Sequence, residues 1–230
     1  SMPEALINVV DVVLLTLKAG ELHVVLCQRD NPVGPAHGVW ALPGGFVRPA
    51  QDADVLATAQ RVLRDKAGLS GIYIEQLQVF SGRARDPDRG WTLCVAYCAL
   101  VREPDLAQPT RADLRLVPVG QLPELPFDHH AIVQTAVERV RVKAAYSSLP
   151  VHLCGELFTI PELQSVYEAI LGKPVNASSF RRKLEDLDAI EEVPGAQRQE
   201  GRSRPAQLYR AKRSPHGLPT QLLTRQRGLV

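Results

Sequence analysis

The stretch from Gly44 to Leu69, GGFVRPAQDADVLATAQRVLRDKAGL, combines a glycine pair, a polar loop and a predicted helix, which together could hold a phosphate group. Backbone N–H groups in a glycine turn and at a helix start can bind phosphate oxygens. Hydrolysis would also need carboxylates on the helix, because Mg²⁺ takes oxygen ligands in near-octahedral geometry. The second half of this helix offers Val62, Asp65 and Lys66, and Asp65 is the single carboxylate in RVLRDKA at 61–67. Without a metal there is little to polarise the phosphorus or activate water, so we expect very weak or absent hydrolysis.

The helix that carries these residues is bounded by local signals. Asp54 is a suitable N-cap, the helix is predicted to continue to Ala67, and Gly68 fits the position just after a helix. The spacing of its apolar residues predicts one buried face. Asp65 follows Arg61 by four residues, a spacing that predicts a salt bridge between them.

The elements around this helix predict a mixed α/β domain. ALINVVDVVLLTL and LHVVLCQR are rich in Val and Leu and flank a glycine turn, which predicts a hairpin. Three further strands are predicted in IYIEQLQVFSG, WTLCVAYCALV and LRLVPVGQL. FDHHAIVQTAVERVRVKAAYS, at 127–147, has one apolar stripe and predicts a second long helix.

Beyond residue 150 the pattern changes to short helices. Thr159 and Glu162 form a capping box with a proline in the first turn, and Asn176 can cap a second helix. AIEEV and AQLYRAK then predict two strands around the turn at 194–205. Two helices followed by a hairpin is the element order of a winged helix-turn-helix.

Polar and cationic residues on the second short helix and in the turn suit base edges and phosphates. From residue 197 onward the chain has 8 basic residues and 1 acidic residue, whereas residues 1–150 have 15 basic and 16 acidic. The alternative is a helical protein-interaction module with a solvated basic face. The predicted DNA-binding residues are Ser178, Ser179, Arg181, Arg182, Lys183, Arg198, Arg202 and Arg204.

Composition favours a soluble cytoplasmic protein. No apolar run approaches the roughly 20 residues that span a bilayer, and SMPEALINVV lacks the features of a signal peptide. The four cysteines form no CxxC pair, which indicates reduced, buried thiols. The adjacent His129 and His130 supply too few ligands for a metal site, and we expect a structural role for them.

LPGGFV, followed by a helix with Arg61 and the ending AGL, resembles the Nudix box. That box runs Gly, five residues, Glu, seven residues, then Arg-Glu-apolar-x-Glu-Glu-x-Gly-apolar. Here Val62, Asp65 and Lys66 stand at the three helical glutamates, and the loop is two residues longer. The resemblance implies an α/β/α sandwich with a mixed sheet. It also leaves a rival interpretation, an active Mg²⁺-dependent hydrolase of ADP-ribose with Asp52, Asp54 and Asp65 as an altered metal set.

The whole chain resembles the Nudix-related transcriptional regulators of NAD metabolism, the NrtR type. FTIPELQSVYEAILGKP, SFRRKL and RPAQLYR carry this resemblance in the second half. It implies a nucleotide-binding effector domain at 1–150, a DNA-binding winged helix at 151–213 and a loose tail at 214–230. It further implies a homodimeric repressor that needs no cofactor, binds ADP-ribose or a related nucleotide, and then releases its double-stranded operator.

The effector-binding residues predicted within this framework are spread over the first domain. Phe80 or Trp40 could stack on an adenine, although such a residue is more often part of the core. The 128–146 helix is the hypothesised lever between the two domains. The predicted effector set is Arg29, Gly44, Gly45, Phe46, Arg48, Arg61, Phe80 and Asp128.

Overall fold

The computed structural model describes residues 2–29, 38–106 and 113–212. The chain forms two compact units that divide between Arg139 and Val140. This division lies inside helix α3, His129–Tyr146, about ten residues before the boundary that the change of pattern predicts. The last turns of α3 belong to the second unit because Arg141 donates to the Ile170 carbonyl there. The tail predicted at 214–230 lies outside the described residues.

The predicted hairpin is confirmed as strands β1, Ile7–Lys18, and β2, Glu21–Gln28. Ala19 and Gly20 between them have φ angles of 50° and 75°. Positive φ at both central residues matches the right-handed twist of the strands and is why glycine is suited here. The hairpin therefore supplies two adjacent strands of the sheet, and β1 becomes its centre.

A seven-stranded mixed sheet is built around β1, which is parallel to β6 and antiparallel to β2 and β4. Gly44 and Gly45 lie in strand β4 and pair with Asp11 and Val10, so the glycine turn predicted here is wrong. Neither glycine has a positive φ, because the segment is extended. The remaining strands are β3 at Trp40–Ala41, β4 at Gly44–Phe46, β5 at Tyr73–Gly82, β6 at Thr92–Leu100 and β7 at Leu114–Pro118.

Helix α1, Val55–Ala67, has the bounds that its capping residues predict. The Asp54 side chain accepts a hydrogen bond from the Ala57 N–H, and Gly68 takes the left-handed conformation at the other end. Apolar residues of α1 are buried with those of β1 and β6, including Ala59, Val62 and Leu63. Packing of this face fixes which α1 side chains remain available to a ligand.

The other face of the sheet meets the first part of α3. Asp11 alternates along β1 with Val10 and Val12 and therefore lies on the face opposite to α1. Its carboxylate contacts His129, the first residue of α3. The first unit is thus a sandwich of helix, mixed sheet and helix, as the resemblance implies. A single-turn helix α2, Glu103–Leu106, follows β6.

The second unit has the predicted order of helix, helix and hairpin. A 3-10 helix at Leu149–Leu153 precedes α4, Ile160–Leu171, and α5, Ala177–Leu187. The Thr159–Glu162 capping box and the Asn176 cap are both present. Strand β8, Ile190–Arg198, pairs with β9, Ala206–Ala211, so the turn between them is limited to 199–205.

The core of the second unit contains Phe158, Leu163, Tyr167, Phe180 and Leu184. Tyr167 and Phe180 meet edge to face with ring centroids 5.1 Å apart, which locks α4 against α5. Cys154 borders this core, and all four cysteines are buried and free of disulfides. In the described parts of the chain, no helix has the length and apolar character to cross a bilayer.

Candidate functional site

A cleft of about 460 Å³ opens in the first unit. Strands β1, β2 and β4, helix α1, the loop after β5 and the start of α3 all contribute to its walls. The α1 residues that line it come from the second half of that helix, so the helix start predicted to meet a phosphate lies elsewhere. The lining side chains used below are Asp11, Arg29, Phe46, Arg48, Arg61, Val62, Asp65, Lys66, Arg85, Asp86, Arg89, Phe127 and His129.

The charged residues of the cleft are predominantly cationic. Six of the lining residues are Arg or Lys, and three are Asp. A concave surface with an excess of three positive charges concentrates anions. The electrostatics therefore favour a ligand with two or more negative charges, such as a diphosphate.

A buried carboxylate lies at the floor of this cleft. Asp11 Oδ2 accepts from Arg85 Nη2 at 2.6 Å and Cys94 Sγ at 3.2 Å, and lies 3.3 Å from His129 Nε2. Burial raises the pKa of Asp11, but the contacts with His129 and Arg85 outweigh it and hold the pKa at about 2. The Leu42 N–H donates to His129 Nδ1 at 3.2 Å, which leaves Nε2 as the ring nitrogen that faces Asp11. This network joins β1, the loop after β5 and α3.

The absence of a side chain at Gly44 is explained by this buried carboxylate. A Cβ at Gly44 would lie 2.3 Å from Asp11 Oδ1 and 2.9 Å from the Val10 carbonyl oxygen. At Gly45 the nearest atom would be Val62 Cγ2 at 3.4 Å. The first glycine is therefore required by the packing of the cleft floor, independently of any ligand.

The main partner of Arg61 is Asp52, whereas the helical spacing predicts Asp65. Its Nε and Nη2 atoms each donate to the Asp52 carboxylate at 2.8 Å, and Nη2 also donates to the Phe46 carbonyl at 2.9 Å. Asp52 lies in the long loop before α1 and also accepts a hydrogen bond from the Arg48 N–H of that loop at 2.8 Å. The hydrogen bond from Arg61 lowers the pKa of Asp52. A bidentate pair outcompetes the single contact available along the helix.

The donor set does not fit Mg²⁺. Of the three carboxylates in the rival metal set, Asp52 is bound by Arg61 and Asp54 accepts from the Ala57 N–H. Val62 has no oxygen, and Lys66 adds a positive charge to the same wall. Within residues 2–29, 38–106 and 113–212, no three His, Cys, Asp or Glu side chains converge as metal ligands.

Two phenyl rings line the cleft, and each has an arginine over its face. The Arg29 guanidinium carbon lies 4.9 Å from the centroid of Phe127, and that of Arg89 lies 5.3 Å from the centroid of Phe46. Phe127 has a φ of 55°, an unusual conformation for an aromatic residue. Phe127 and Phe46 are 38% and 51% exposed, so a planar ligand group could still reach the part of each residue that its arginine does not cover.

Six of the eight predicted effector residues line the cleft, and the other two, Phe80 and Asp128, do not. Arg29, Gly44, Gly45, Phe46, Arg48 and Arg61 all line the cleft. Phe80 on β5 and Trp40 are not among the lining residues, and Trp40 lies under Arg115 instead. Asp128 supports the cleft indirectly by accepting from Arg85 Nε at 3.1 Å.

The cleft residues that sequence reasoning missed as site residues include Asp11, Arg85, Phe127 and His129. A signal was present for Asp11, because a single carboxylate inside the apolar strand NVVDVVLL must be paired when it is buried. His129 lay in a stretch expected to be structural, and its contacts with Asp11 and Leu42 give it that role. No local signal distinguishes Arg85 from its exposed neighbour Arg83.

In the second unit, α5 and the turn after β8 present an exposed polar and basic surface. Asn176 Oδ1 accepts hydrogen bonds from the backbone N–H groups of Ser178 and Ser179 at the start of α5. Both serines are exposed. Arg181 and Arg182 are exposed one turn later. Arg202 and Arg204 are exposed in the turn at 199–205.

Two cations predicted on this surface are engaged inside the unit instead. Lys183 Nζ donates to the carbonyls of Ala144 and Ala145 at 2.7 and 2.8 Å. Arg198 ends β8, outside the turn where the sequence predicts it, and pairs with Glu162 of the capping box. These contacts arise between distant parts of the chain, so helical periodicity gave no indication of them.

Fold and site together define a NUDIX domain followed by a DNA-binding winged helix. The NUDIX domain model matches residues 6–138, and the model of the NrtR DNA-binding winged helix domain matches residues 150–211. The chain belongs to the NrtR family. The winged helix match begins at residue 150, and the compact second unit begins at Val140.

Three relatives illustrate the likeness. The ADPR responsive transcriptional repressor NtrR of Acinetobacter baylyi is 37% identical over 205 residues, covering 87% of this chain and 80% of that protein. Shewanella oneidensis NrtR in complex with a 27mer DNA is 40% identical with a TM-score of 0.81, covering 89% of this chain and 93% of that one. The NUDIX domain of the same protein in complex with ADP ribose is 35% identical with a TM-score of 0.51, covering 59% and 89%.

Proposed function

We propose that this chain is a transcriptional repressor whose NUDIX domain binds ADP-ribose and whose winged helix binds operator DNA. One observation carries the proposal: a cationic, aromatic-lined cleft lies in the same chain as an exposed basic recognition helix, and the described residues hold no cluster of metal ligands. The relative named as an ADPR-responsive repressor and the two Shewanella structures support both halves.

The cleft has a suitable group for each part of the effector. The diphosphate carries two negative charges, which the cationic excess of the cleft would offset. Arg48 and Lys66 both line the cleft, and Arg89 lies over Phe46. The aromatic residues Phe46 and Phe127 suit a planar base, since aromatic stacking tolerates any base. The cleft therefore offers groups for both the diphosphate and the base.

The bound effector is retained intact. Cleavage of the diphosphate would need a group that activates water and one that stabilises the charge on phosphorus. Asp52 binds Arg61 and Asp54 caps α1, which leaves Asp65 as the single carboxylate at the three helical glutamate positions of the Nudix box. A ligand that is not consumed can report its own concentration, which is what a sensor requires.

DNA binding is assigned to α5 and the turn at 199–205. Ser178, Ser179, Arg181 and Arg182 would contact base edges and phosphates in the major groove, and Arg202 and Arg204 the neighbouring backbone. Two-fold operators are bound by dimers, so we infer that the protein acts as a homodimer. From its likeness to the NrtR regulators we infer that it acts in the cytoplasm on genes of NAD metabolism. Helix α3 carries His129 of the cleft at its first residue and extends into the second unit, which makes it the candidate lever.

The test is fluorescence anisotropy of a labelled duplex from the upstream region of the gene itself. We expect binding in the absence of effector and weaker binding when ADP-ribose is added, because the effector must favour one of two states to shift the equilibrium. AMP at equal concentration is the control, since it lacks the diphosphate. A duplex affinity no greater than that for unrelated DNA would contradict the repressor function.

The hydrolase alternative is tested in the same preparation. ADP-ribose is incubated with Mg²⁺ or Mn²⁺, and AMP release is measured by chromatography. Turnover above about 1 s⁻¹ is an ordinary enzyme rate. It would show that the protein is an ADP-ribose hydrolase and would contradict the proposed sensor function. Intact ADP-ribose after prolonged incubation is the expected result.

A further inference from the structure

Lys183 differs in exposure from the two arginines that precede it on α5. Arg181 and Arg182 are exposed, whereas Lys183 is half-buried and its Nζ contacts the carbonyls of Ala144 and Ala145 at 2.7 and 2.8 Å. Nζ also lies 4.8 Å from the centroid of the Tyr167 ring. Burial lowers the pKa of this lysine. Three simultaneous contacts inside the protein occupy the ammonium group that a DNA phosphate would need.

These carbonyls belong to the last turn of α3, which ends at Tyr146. The last four carbonyls of a helix have no partner within it, and the helix dipole places partial negative charge there. An ammonium group is the appropriate cap for such an end. Lys183 therefore neutralises the end of α3 with a charge supplied by α5.

The C-terminal end of α3 also contacts helix α4. Tyr167 donates its hydroxyl hydrogen to the Ser147 carbonyl at 2.7 Å, directly after α3, and its ring lies beneath the lysine ammonium. Tyr167 also packs against Phe180 of α5. The end of α3 is thus joined to both helices of the DNA-binding fold through two side chains, and the orientation of α5 depends on both.

We propose that Lys183 is a positioning residue for DNA recognition, which fixes α5 on the end of α3 and does not contact DNA. The proposal rests on the assignment of α5 as the DNA-binding helix. Its consequence is that Lys183 and Arg182, although adjacent in sequence and equal in charge, affect DNA binding by different physical routes. One route changes the geometry of the surface, and the other changes the number of phosphates neutralised.

Salt dependence separates these routes. The logarithm of the binding constant falls with the logarithm of salt concentration, with a slope of about −0.9 for each phosphate neutralised. Loss of a phosphate contact lowers both affinity and slope, whereas loss of a positioning contact lowers affinity alone. The full-length Lys183→Met protein and the matched Arg182→Met protein are titrated against the upstream duplex at five salt concentrations. Active protein is counted by stoichiometric titration, so that any loss of folded protein does not affect Kd.

We expect Lys183→Met to weaken binding about tenfold, the effect of losing a hydrogen-bonded charge, with the salt slope of the wild type. Arg182→Met is expected to lower the slope by about 0.9. Lys183→Arg should recover most of the affinity, because a guanidinium can also donate to both carbonyls. A Lys183→Met slope reduced by about 0.9, or an unchanged affinity, would overturn the proposal.

Hydrogen exchange provides a second measurement that does not require DNA. Backbone amides of α5 exchange through local opening, so loss of the tether to α3 should speed their exchange about tenfold in Lys183→Met. Arg182→Met is expected to leave these rates unchanged. Equal rates in both variants would refute the tether even if the repressor function holds. Faster exchange in Lys183→Met, with no specific DNA binding by the wild type, would instead refute the proposed function and keep the tether.

Discussion

Substitution of Gly44 by alanine is the most specific structural prediction for the cleft. The added Cβ would lie 2.3 Å from Asp11 Oδ1 and 2.9 Å from the Val10 carbonyl oxygen, closer than such atoms approach in proteins. The Asp11 carboxylate would have to move by about 1 Å to restore ordinary contact. Its Oδ2 atom is held by Arg85, Cys94 and His129, so this movement would strain or break all three contacts.

The cost of Gly44→Ala follows from these contacts. Overpacking of a core costs about 1–3 kcal/mol, and breaking a buried ion pair costs about 3–5 kcal/mol. We therefore expect a loss of about 3 kcal/mol in the free energy of unfolding, a large part of the roughly 5–15 kcal/mol of a typical domain. Gly45→Ala is the matched control, since its Cβ would meet only Val62 at 3.4 Å. Its expected change is less than about 1 kcal/mol.

Urea unfolding monitored by tryptophan fluorescence is the appropriate assay. The two tryptophans of the chain, Trp40 and Trp91, both lie in the first unit, so the signal reports on the NUDIX domain. Replacing Asp11 by serine should remove most of the penalty at Gly44, giving a coupling free energy above about 1 kcal/mol. Equal stability of the Gly44→Ala and Gly45→Ala proteins would refute the packing role of Gly44.

Three further predictions address charge and recognition. Because the pKa of Asp11 is about 2, below the value near 3.9 of an unfolded chain, its stabilisation is complete above pH 4 and is lost as pH falls through 2. In urea unfolding, the wild type should lose about 2 kcal/mol of its free energy of unfolding over this pH window, and the Asp11→Asn protein should not. The same dependence of this free energy on pH in both proteins would contradict the prediction. Phe127→Leu should weaken ADP-ribose binding by about tenfold in calorimetry, whereas Phe80→Leu should not, and the reverse order would restore the sequence-based assignment. Arg202→Met and Arg204→Met should each reduce the salt slope of DNA binding by about 0.9, and unchanged slopes would remove the turn at 199–205 from the interface.

Helix bounds and domain order were predictable because their signals are local. The Asp54 and Asn176 caps, the Thr159–Glu162 capping box and Gly68 each act within one turn of their own helix. The hairpin of β1 and β2 is likewise determined by a two-residue turn. Short-range signals of this kind do not depend on what the rest of the chain does.

The connections within the cleft depend on long-range packing and were not predictable in the same way. Arg61 and Asp65 have an ideal helical spacing, but the loop brings Asp52 to Arg61 in a bidentate geometry that a helical neighbour does not provide. Gly44 and Gly45 form strand β4 because β1 offers an antiparallel partner. Lys183 lies near Arg182 in sequence, and only the end of α3 determines that it faces inward.

Calorimetric titration of the full-length protein with ADP-ribose tests the central claim most directly, performed once in EDTA and once in Mg²⁺. The cleft is expected to bind ADP-ribose with the same Kd, within about twofold, in both buffers, because arginine and lysine side chains supply the positive charge. Binding that appears only when Mg²⁺ is present would contradict this account.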